Sequence, residues 1–302
     1  MPEPLHIHLI SDGRKGHENQ SFGLAEELAK LTTATIHLRH LDPEKKFLHN
    51  TREILKNKRN IPSPDLILCA GHHTHLAALA LKWHTRAPLV VLMKPSLPLS
   101  LFDLALIPEH DLVGKNLGSK IIATTGALNR ISPARHSTNT RRLLLIGGPS
   151  KTHNWDAAYL KRAITELSKT KGLPWHLTDS RRTPPDFLNS LRQLPITLHP
   201  HQETGSDWLP RQLATASEIW VTADSVSMIY EAVTTGAPVG IFPLPVKREN
   251  RVTHGLATLI ERQLATPFTD WQKSNNLRAL AQPLHESARC ARLVMTKLFP
   301  EC

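Results

Sequence analysis

Apolar and polar positions alternate along the chain in blocks that predict strands and helices in turn. The apolar blocks are short and nearly continuous, as in "DLILCAG" at residues 65–71, and such runs are typical of strands buried on both faces. The segments between them have helical spacing, with Leu24, Leu28 and Leu31 on one face of a helix predicted at 18–31. This alternation predicts an α/β protein with parallel sheets. Strands are predicted at 5–10, 35–41, 65–71, 88–94, 102–108, 120–126, 141–150, 173–180, 195–200 and 219–221, and a helix is predicted at 185–194.

A polar stretch without periodicity, "RISPARHSTNT" at residues 130–140, divides this series and is predicted to be a linker. The chain is therefore expected to form two doubly wound, Rossmann-like domains that face each other across a cleft, at 1–135 and 141–280. Segment 281–302 contains an amphipathic helix that is expected to pack back on the first domain. In open parallel sheets ligands bind at the carboxyl ends of the strands, so the loops at those ends are the candidates for a site.

Composition narrows the class of protein. The chain has 302 residues, of which 40% are hydrophobic and 21% charged, as in ordinary globular proteins. Cys69, Cys290 and Cys302 are scattered and odd in number, which argues against a disulfide framework and fits a reducing compartment. No apolar run approaches the roughly 18 residues that a membrane span needs. We expect a soluble, cytoplasmic protein.

The charge balance favours anionic partners. The formal net charge is +11, yet aromatic residues are only 5% and no nucleic-acid-binding motif is present, so nucleic acid is not an expected partner. Phosphorylated small molecules and acidic membrane surfaces remain as the expected anionic partners. His72, His73 and His75 lack the spacing of a zinc-binding helix, and no metal site is predicted.

The loop "SDGRKGHENQ" at 11–20 collects polar groups directly after the first predicted strand. Its glycines allow a tight turn and a close approach of backbone amides to a ligand. It is neither a Walker A loop nor a dinucleotide fingerprint. A solvated polar turn is the alternative. The candidate site residues in this loop are Asp12, Gly13, Gly16, His17 and Asn19.

Two loops of the second half are candidate anion sites. Gly147 and Gly148 would leave room for a phosphate, and Lys151 would supply a positive charge. In "TDSRRTPP" at 178–185, guanidinium groups can pair bidentately with phosphate. The alternatives are an ordinary turn and a solubilising arginine pair. The candidates in the latter loop are Ser180, Arg181, Arg182 and Thr183.

The segment "EIWVTADSVSMIYEAVTTGAPVGIFPLP" at 218–245 predicts a strand, a helix and a second strand. Asp224 or Ser225 is expected to cap the helix, whose exposed amides would form an anion site with the hydroxyls of Ser225 and Ser227. Glu231 would lie about 9 Å further along the helix, roughly the distance from a diphosphate to a ribose. These features predict a nucleotide site. A capped core helix with a surface glutamate is the alternative.

Three of these motifs together resemble the bacterial branch of the mitochondrial-fission (elongated-mitochondria) family. They are "SDGRKGHENQ", "SRRTP" and "TADSVSMIYEAVTTGAPV", and the resemblance covers nearly the whole chain. Bacterial members are described as glycosyltransferases and, in older descriptions, as nucleoside-diphosphate-sugar epimerases. The resemblance implies a GT-B architecture, with the acceptor on the first domain and the nucleotide sugar bound mainly by the second.

Segment 222–238 is also similar to the donor-binding helix of MurG-type N-acetylglucosaminyltransferases. The similarity implies that Glu231 contacts the ribose, that Ser225 and Ser227 contact the diphosphate, and that Gly147 and Gly148 form the first glycine loop. No counterpart of the Gln-rich donor segment of those enzymes is present, so the resemblance does not identify the nucleobase or the sugar of the donor.

The implied function is hexosyl transfer from a nucleoside-diphosphate sugar to an envelope or lipid-linked glycan, without a metal or other cofactor. Asp12 or His17 would be the general base, with a preference for Asp12 because it follows the strand directly. The positive charge would allow peripheral contact with the acidic inner membrane. The alternatives are a non-enzymatic scaffold recruited to a membrane and a nucleotide-sugar epimerase.

Overall fold

Each half of the chain forms a six-stranded sheet in which all strands are parallel. The computed structural model describes residues 4–42, 44–45, 47–56, 61–112, 118–133, 140–205, 207–280 and 282–300. The strands are β1 Leu5–Ser11, β2 Ala34–His40, β3 Leu66–Ala70, β4 Leu89–Leu92, β5 Leu104–Pro108, β6 Ile121–Thr124, β7 Arg141–Leu145, β8 Trp175–Thr178, β9 Ile196–His199, β10 Ala216–Thr222, β11 Val239–Phe242 and β12 Thr266–Pro267. The helices are α1 Lys15–Leu31, α2 Phe47–Lys56, α3 His75–Thr85, α4 Ala157–Ser168, α5 Asp186–Asn189, α6 Trp208–Ala214, α7 Val226–Thr234, α8 Arg251–Glu261, α9 Phe268–Ser274 and α10 Glu286–Leu298.

The first unit comprises residues 1–130 and 286–302. Its strand order is β2-β1-β3-β4-β5-β6, and every residue of β3, β4 and β5 is buried. Alternate residues of β3 pack on opposite sides of the sheet: Leu66 and Leu68 pack with α1 and α10, and Ile67 and Cys69 pack with α2 and α3. Helices thus cover both faces, which explains why these strands are continuous apolar runs.

Helix α10 brings the end of the chain back to this unit and packs along α1. The buried carboxylate of Glu286 accepts a hydrogen bond from the Thr125 amide at 2.8 Å, and Ser287 Oγ donates to the Asn129 carbonyl at 2.7 Å. Polar contacts at its first turn therefore fix where the helix docks, and the apolar side chains behind them supply the burial.

The second unit comprises residues 131–285, with strand order β12-β11-β10-β7-β8-β9. The chain starts in the middle of the sheet, extends to β9, and then returns to the other side of β7 with β10. The crossover direction therefore reverses between β7 and β10, and in the first unit it reverses between β1 and β3. Loops that leave such adjacent strands diverge and open a crevice at the carboxyl edge, where ligands bind in sheets of this kind.

The predicted α/β class with two parallel-sheet, Rossmann-like domains is confirmed. The prediction missed β12 and α9, and the helix predicted at 185–194 is limited to α5. Residues 134–139 of the predicted linker and Cys302 lie outside the described residues, whereas Cys69 and Cys290 are buried thiols. None of the described helices is long and apolar enough to cross a membrane.

Candidate functional site

An open cavity of about 740 Å³ lies at the carboxyl edge of the second sheet, at the point where the crossover direction reverses. Loops that follow β7, β8, β10 and β11 form its wall. The wall combines three cationic side chains, several hydroxyls and one carboxylate. The lining residues are Pro149, Ser150, Lys151, Thr152, Arg182, Asp224, Ser225, Val226, Ser227 and Lys247.

Packing explains the glycine pair after β7. Both residues are buried, and a Cβ atom at Gly147 would lie less than 3.0 Å from the carboxylate of Asp224. A Cβ atom at Gly148 would lie equally close to the backbone carbonyl of Arg182. The expectation that these glycines leave room for a phosphate is therefore wrong, because protein atoms fill that space. Their small size instead lets three loops come together.

Asp224 joins those loops. Its Oδ2 lies 2.7 Å from Arg182 Nη2 and accepts a hydrogen bond from the Gly148 amide at 3.0 Å. Arg182 Nη1 donates to the Gly148 carbonyl at 3.0 Å, so two contacts hold the guanidinium at the cavity wall. The Asp224 side chain is fully buried, and its second oxygen, Oδ1, has no hydrogen-bond partner among the described residues. Among the described residues, Asp224 thus forms its hydrogen bonds through one carboxylate oxygen alone.

The other predicted residues of the 180–183 turn hold its shape. Thr183 Oγ1 donates to the Gly147 carbonyl at 2.5 Å, with the Ile146 carbonyl 3.2 Å away, and accepts from the Ser180 amide at 2.9 Å. These contacts fasten the turn to the end of β7. Arg181 is exposed and is not among the cavity-lining residues, so only Arg182 of the predicted arginine pair reaches the cavity.

Lys247 is a cavity residue that the sequence reasoning missed. Its amide donates to the Thr152 carbonyl at 2.8 Å, and the neighbouring Val246 forms an antiparallel bridge with His153. These contacts bring the loop after β11 to the loop that carries Lys151. The signal was available, because Lys247 follows a predicted strand at its carboxyl end, the position at which ligands bind.

A hydroxyl network shapes the Lys151 loop from within. Ser150 Oγ lies 3.0 Å from Thr152 Oγ1 and accepts from the His153 amide at 2.9 Å. Burial lowers the pKa of His153, and the negative charge of Asp224 opposes that effect. Because these hydrogen bonds fix their orientation, the hydroxyls of Ser150 and Thr152 are ordered where they line the cavity.

Ser225 is the N-cap residue of α7, although no side-chain hydrogen bond caps the helix. The first helical hydrogen bond runs from the Ile229 amide to the Ser225 carbonyl, so the amides before Ile229 lack helical partners. Ser225 and the exposed Ser227, the two hydroxyls predicted to belong to an anion site, line the cavity at this helix end. Glu231 is half-buried further along α7 and is not among the lining residues.

The second group of candidate residues lies at the carboxyl edge of the first sheet. His17 Nδ1 is 3.0 Å from both carboxylate oxygens of Asp12, and Asp12 has a side-chain exposure of only 6%. A carboxylate can only accept, so Nδ1 carries the hydrogen and the opposite ring nitrogen, Nε2, is the proton acceptor. This geometry leaves Nε2 of His17 as the basic atom of the pair, whereas Asp12, the preferred candidate for the general base, holds the other ring nitrogen.

Two contacts support this Asp12–His17 pair. A Cβ atom on Gly71, at the end of β3, would lie less than 3.0 Å from the His17 ring, and the residue has a φ of 88° that favours glycine. Glu18 accepts a hydrogen bond from the buried Ser11 hydroxyl at 2.6 Å, and Ser11 Oγ accepts from the Gly13 amide at 2.9 Å. The loop that carries Asp12 is thereby anchored to α1.

The remaining predicted residues of this loop take other positions. Gly13 has a φ of 74°, as expected for a tight turn, and the space around the Cα atoms of Gly13 and Gly16 is open. Asn19 is half-buried within α1. The two glycines thus leave the backbone of the loop accessible.

Two parallel-sheet Rossmann-like units, each with polar loops at its crossover reversal, define a protein with the GT-B-like fold. Residues 15–298 match the model of the family described as Mitochondrial fission ELM1. The chain belongs to this family. It is 27% identical over 350 residues to an uncharacterized protein of Rickettsia prowazekii (strain Madrid E), covering 96% of this chain and 98% of the relative.

Solved structures share the fold at low sequence identity. The MurG structure of Acinetobacter baumannii has a TM-score of 0.57 at 12% identity, covering 97% of this chain and 100% of MurG. A structure described as a UDP-N-acetylglucosamine 2-epimerase from Listeria monocytogenes has a TM-score of 0.62 at 14% identity, covering 98% of this chain and 96% of that one. Both a transferase and a protein described as an epimerase are similar to this chain, so the fold by itself does not choose between the two reactions.

Proposed function

We propose that the protein is a nucleotide-sugar-dependent glycosyltransferase of the hexosyl type. The observation that carries this proposal is the cavity beside α7, because three cationic side chains and four hydroxyls surround the end of a helix there. Such a lining suits a diphosphate. Lys151, Lys247 and the amides that follow Ser225 would contact the phosphate oxygens, and Arg182 would present its guanidinium edge.

The nucleoside would extend from the cavity along α7. Glu231 would accept hydrogen bonds from the ribose hydroxyls, since it lies about 9 Å along the helix from Ser225 at 1.5 Å per residue. Because Glu231 is not among the cavity-lining residues, this assignment rests on the resemblance to the donor helix of MurG-type enzymes. A Glu231→Gln variant should weaken binding of a ribonucleotide more than that of its deoxyribose analogue.

His17 would act as the general base toward the acceptor. Its Nε2 would take the proton of an acceptor hydroxyl while that oxygen forms a bond to the anomeric carbon of the sugar. The bond between the anomeric carbon and the phosphate oxygen breaks, and the nucleoside diphosphate leaves with the electron pair. Asp12 would keep Nδ1 protonated and would stabilise the imidazolium that forms, so Asp12 is a positioning residue.

The leaving diphosphate gains negative charge as the bond breaks. Fixed cations and amides beside that charge lower the barrier because they need no reorganisation. Lys151 and Lys247 would supply this stabilisation with no metal ion and no other cofactor, and Arg182, whose charge is offset by Asp224, would donate hydrogen bonds. For the acceptor we propose an envelope or lipid-linked glycan, reached by a cytoplasmic protein in peripheral contact with the acidic inner membrane.

A thermal-shift screen across nucleoside diphosphates and their sugars tests the donor site. We expect one nucleotide family to raise the melting temperature, and Arg182→Gln to reduce that shift. His17→Asn should retain the shift but lose turnover by about 10²-fold or more, the contribution of a general base. His84→Asn, on the exposed surface of α3, is the matched control.

Three outcomes would contradict the proposal in different ways. Conversion of the sugar with no acceptor present would identify an epimerase. No response to any nucleotide would favour a scaffold. Equal loss of donor binding and turnover in His17→Asn would reject His17 as the general base, but it would not contradict the proposed location of the donor site beside α7.

A further inference from the structure

The cavity beside α7 contains a negative charge where an anion site would be expected to exclude one. Asp224 is a cavity-lining residue, and its carboxylate is paired with Arg182 at 2.7 Å. Neither Lys151 nor Lys247 has a carboxylate within ion-pair distance among the residues that the structure describes. The cations of the cavity are therefore of two kinds: one neutralised guanidinium and two lysines that are not neutralised.

The Asp224–Arg182 pair contributes no net charge, so the two lysines leave the cavity with two positive charges. Asp224 has 0% side-chain exposure, and water cannot screen its charge as it does for a surface residue. Its Oδ1 is also buried and without a partner among the described residues. The charge of Asp224 is thus weakly screened by water, and it offsets the charge of Arg182.

This charge count matches one chemical class of ligand. A diphosphate that is substituted at both ends, as in a nucleotide sugar, carries one negative charge on each phosphate. The nucleoside diphosphate released by transfer carries more, because its terminal phosphate becomes a monoester with a second ionisation near pH 6. Each additional charge would be attracted more strongly if Arg182 were not neutralised.

We propose that Asp224 determines specificity by charge: it limits the cavity to two positive charges and thereby lowers its affinity for the free nucleotide relative to the nucleotide sugar. This inference rests on the proposed function, since it assigns a diphosphate to this cavity. Its consequence is that the product does not compete strongly with the next donor molecule.

The experiment measures binding by isothermal titration in the presence of a chelator, so that no divalent ion alters the ligand charge. The ligands are the nucleotide sugar and nucleoside diphosphate found by the screen, and inorganic phosphate, pyrophosphate and tripolyphosphate. Asp224→Asn leaves Arg182 unneutralised while its amide oxygen can still accept from Gly148. We expect the affinity ratio of free nucleotide to nucleotide sugar to rise about fivefold, and the dependence on phosphate number to steepen.

Two further variants separate charge from positioning. Arg182→Gln leaves Asp224 unopposed, so the same ratio should fall about fivefold. The double variant removes both charges and should restore the wild-type ratio, even though the ion pair is gone. Lys171→Ala, an exposed cation outside the cavity lining, is the control that should leave the ratio unchanged.

A purely structural role for Asp224 predicts something else: all ligands bind more weakly in Asp224→Asn, with an unchanged ratio. That result, or a double variant that fails to restore the ratio, would overturn the proposal. If no nucleotide binds but the inorganic series shows the expected charge dependence, the charge assignment stands and the proposed transferase function fails. If neither the nucleotides nor the inorganic phosphates bind to the wild type, both the charge assignment and the proposed transferase function fail.

Discussion

Gly71→Ala should disrupt the Asp12–His17 pair without altering either residue. A Cβ atom at Gly71 would lie less than 3.0 Å from the His17 ring, a distance that real Cβ atoms essentially never show, and 3.2 Å from Asp12 Oδ2. The left-handed φ of 88° adds about 1–2 kcal/mol of backbone strain. Loss of a hydrogen bond to a charged group adds about 1.5–3 kcal/mol. The first unit should therefore lose about 2.5–5 kcal/mol of stability.

Denaturant unfolding measures this loss, and turnover measured under native conditions reports the position of His17. We expect turnover to fall by about 10²-fold while the thermal shift with nucleotide is retained, because the donor cavity lies in the other unit. Gly172→Ala is the control: its φ is also positive, at 143°, but the nearest side-chain atoms are 3.4 Å away, on Arg142. Wild-type turnover in Gly71→Ala would refute the idea that close packing positions the imidazole.

Two other predictions concern stability. Burial lowers the pKa of His8 to about 3, whereas this histidine titrates near 6.5 in the unfolded chain. The contribution of neutral His8 to the free energy of unfolding is therefore fully present above pH 6.5 and falls by about 1.4 kcal/mol per pH unit as the pH drops toward 3. In a His8→Asn variant, the free energy of unfolding should depend less steeply on pH across this range. Glu286→Ala removes the acceptor of the Thr125 amide and the ion partner of Arg289, and should cost about 2–3 kcal/mol. The exposed Glu261→Ala is its control in urea unfolding, and equal midpoints would contradict the proposed docking role of α10.

The strands were predicted well where burial on both faces leaves a continuous apolar run. The run predicted at 65–71 is β3, Leu66–Ala70, because every side chain of that strand is covered by helices. Short elements were missed or overestimated. Strand β12 has two residues and α9 has seven, too few for a periodic signal, and α5 is limited to four residues after two prolines.

The candidate site was predicted in part. Asp12 follows β1 directly and His17 lies in the first turn of α1, so the two are close along the chain and their contact could be expected from the sequence. Gly71 lies far from them along the chain and gains its role only because β3 pairs with β1. Asp224 was predicted as a possible helix cap and Arg182 as part of an anion-binding loop, but their mutual ion pair changes the chemistry of both.

The sequence by itself determined the order of strands and helices, the α/β class and the polar loops at the strand ends, because hydrophobic periodicity and turn residues act over short distances along the chain. Only the tertiary structure decided which loops are neighbours, through the order of strands within each sheet. That order depends on long-range packing of helices on sheet faces, which local pattern does not encode. It is this order that places Gly148 against Arg182, and Lys247 beside the loop of Lys151.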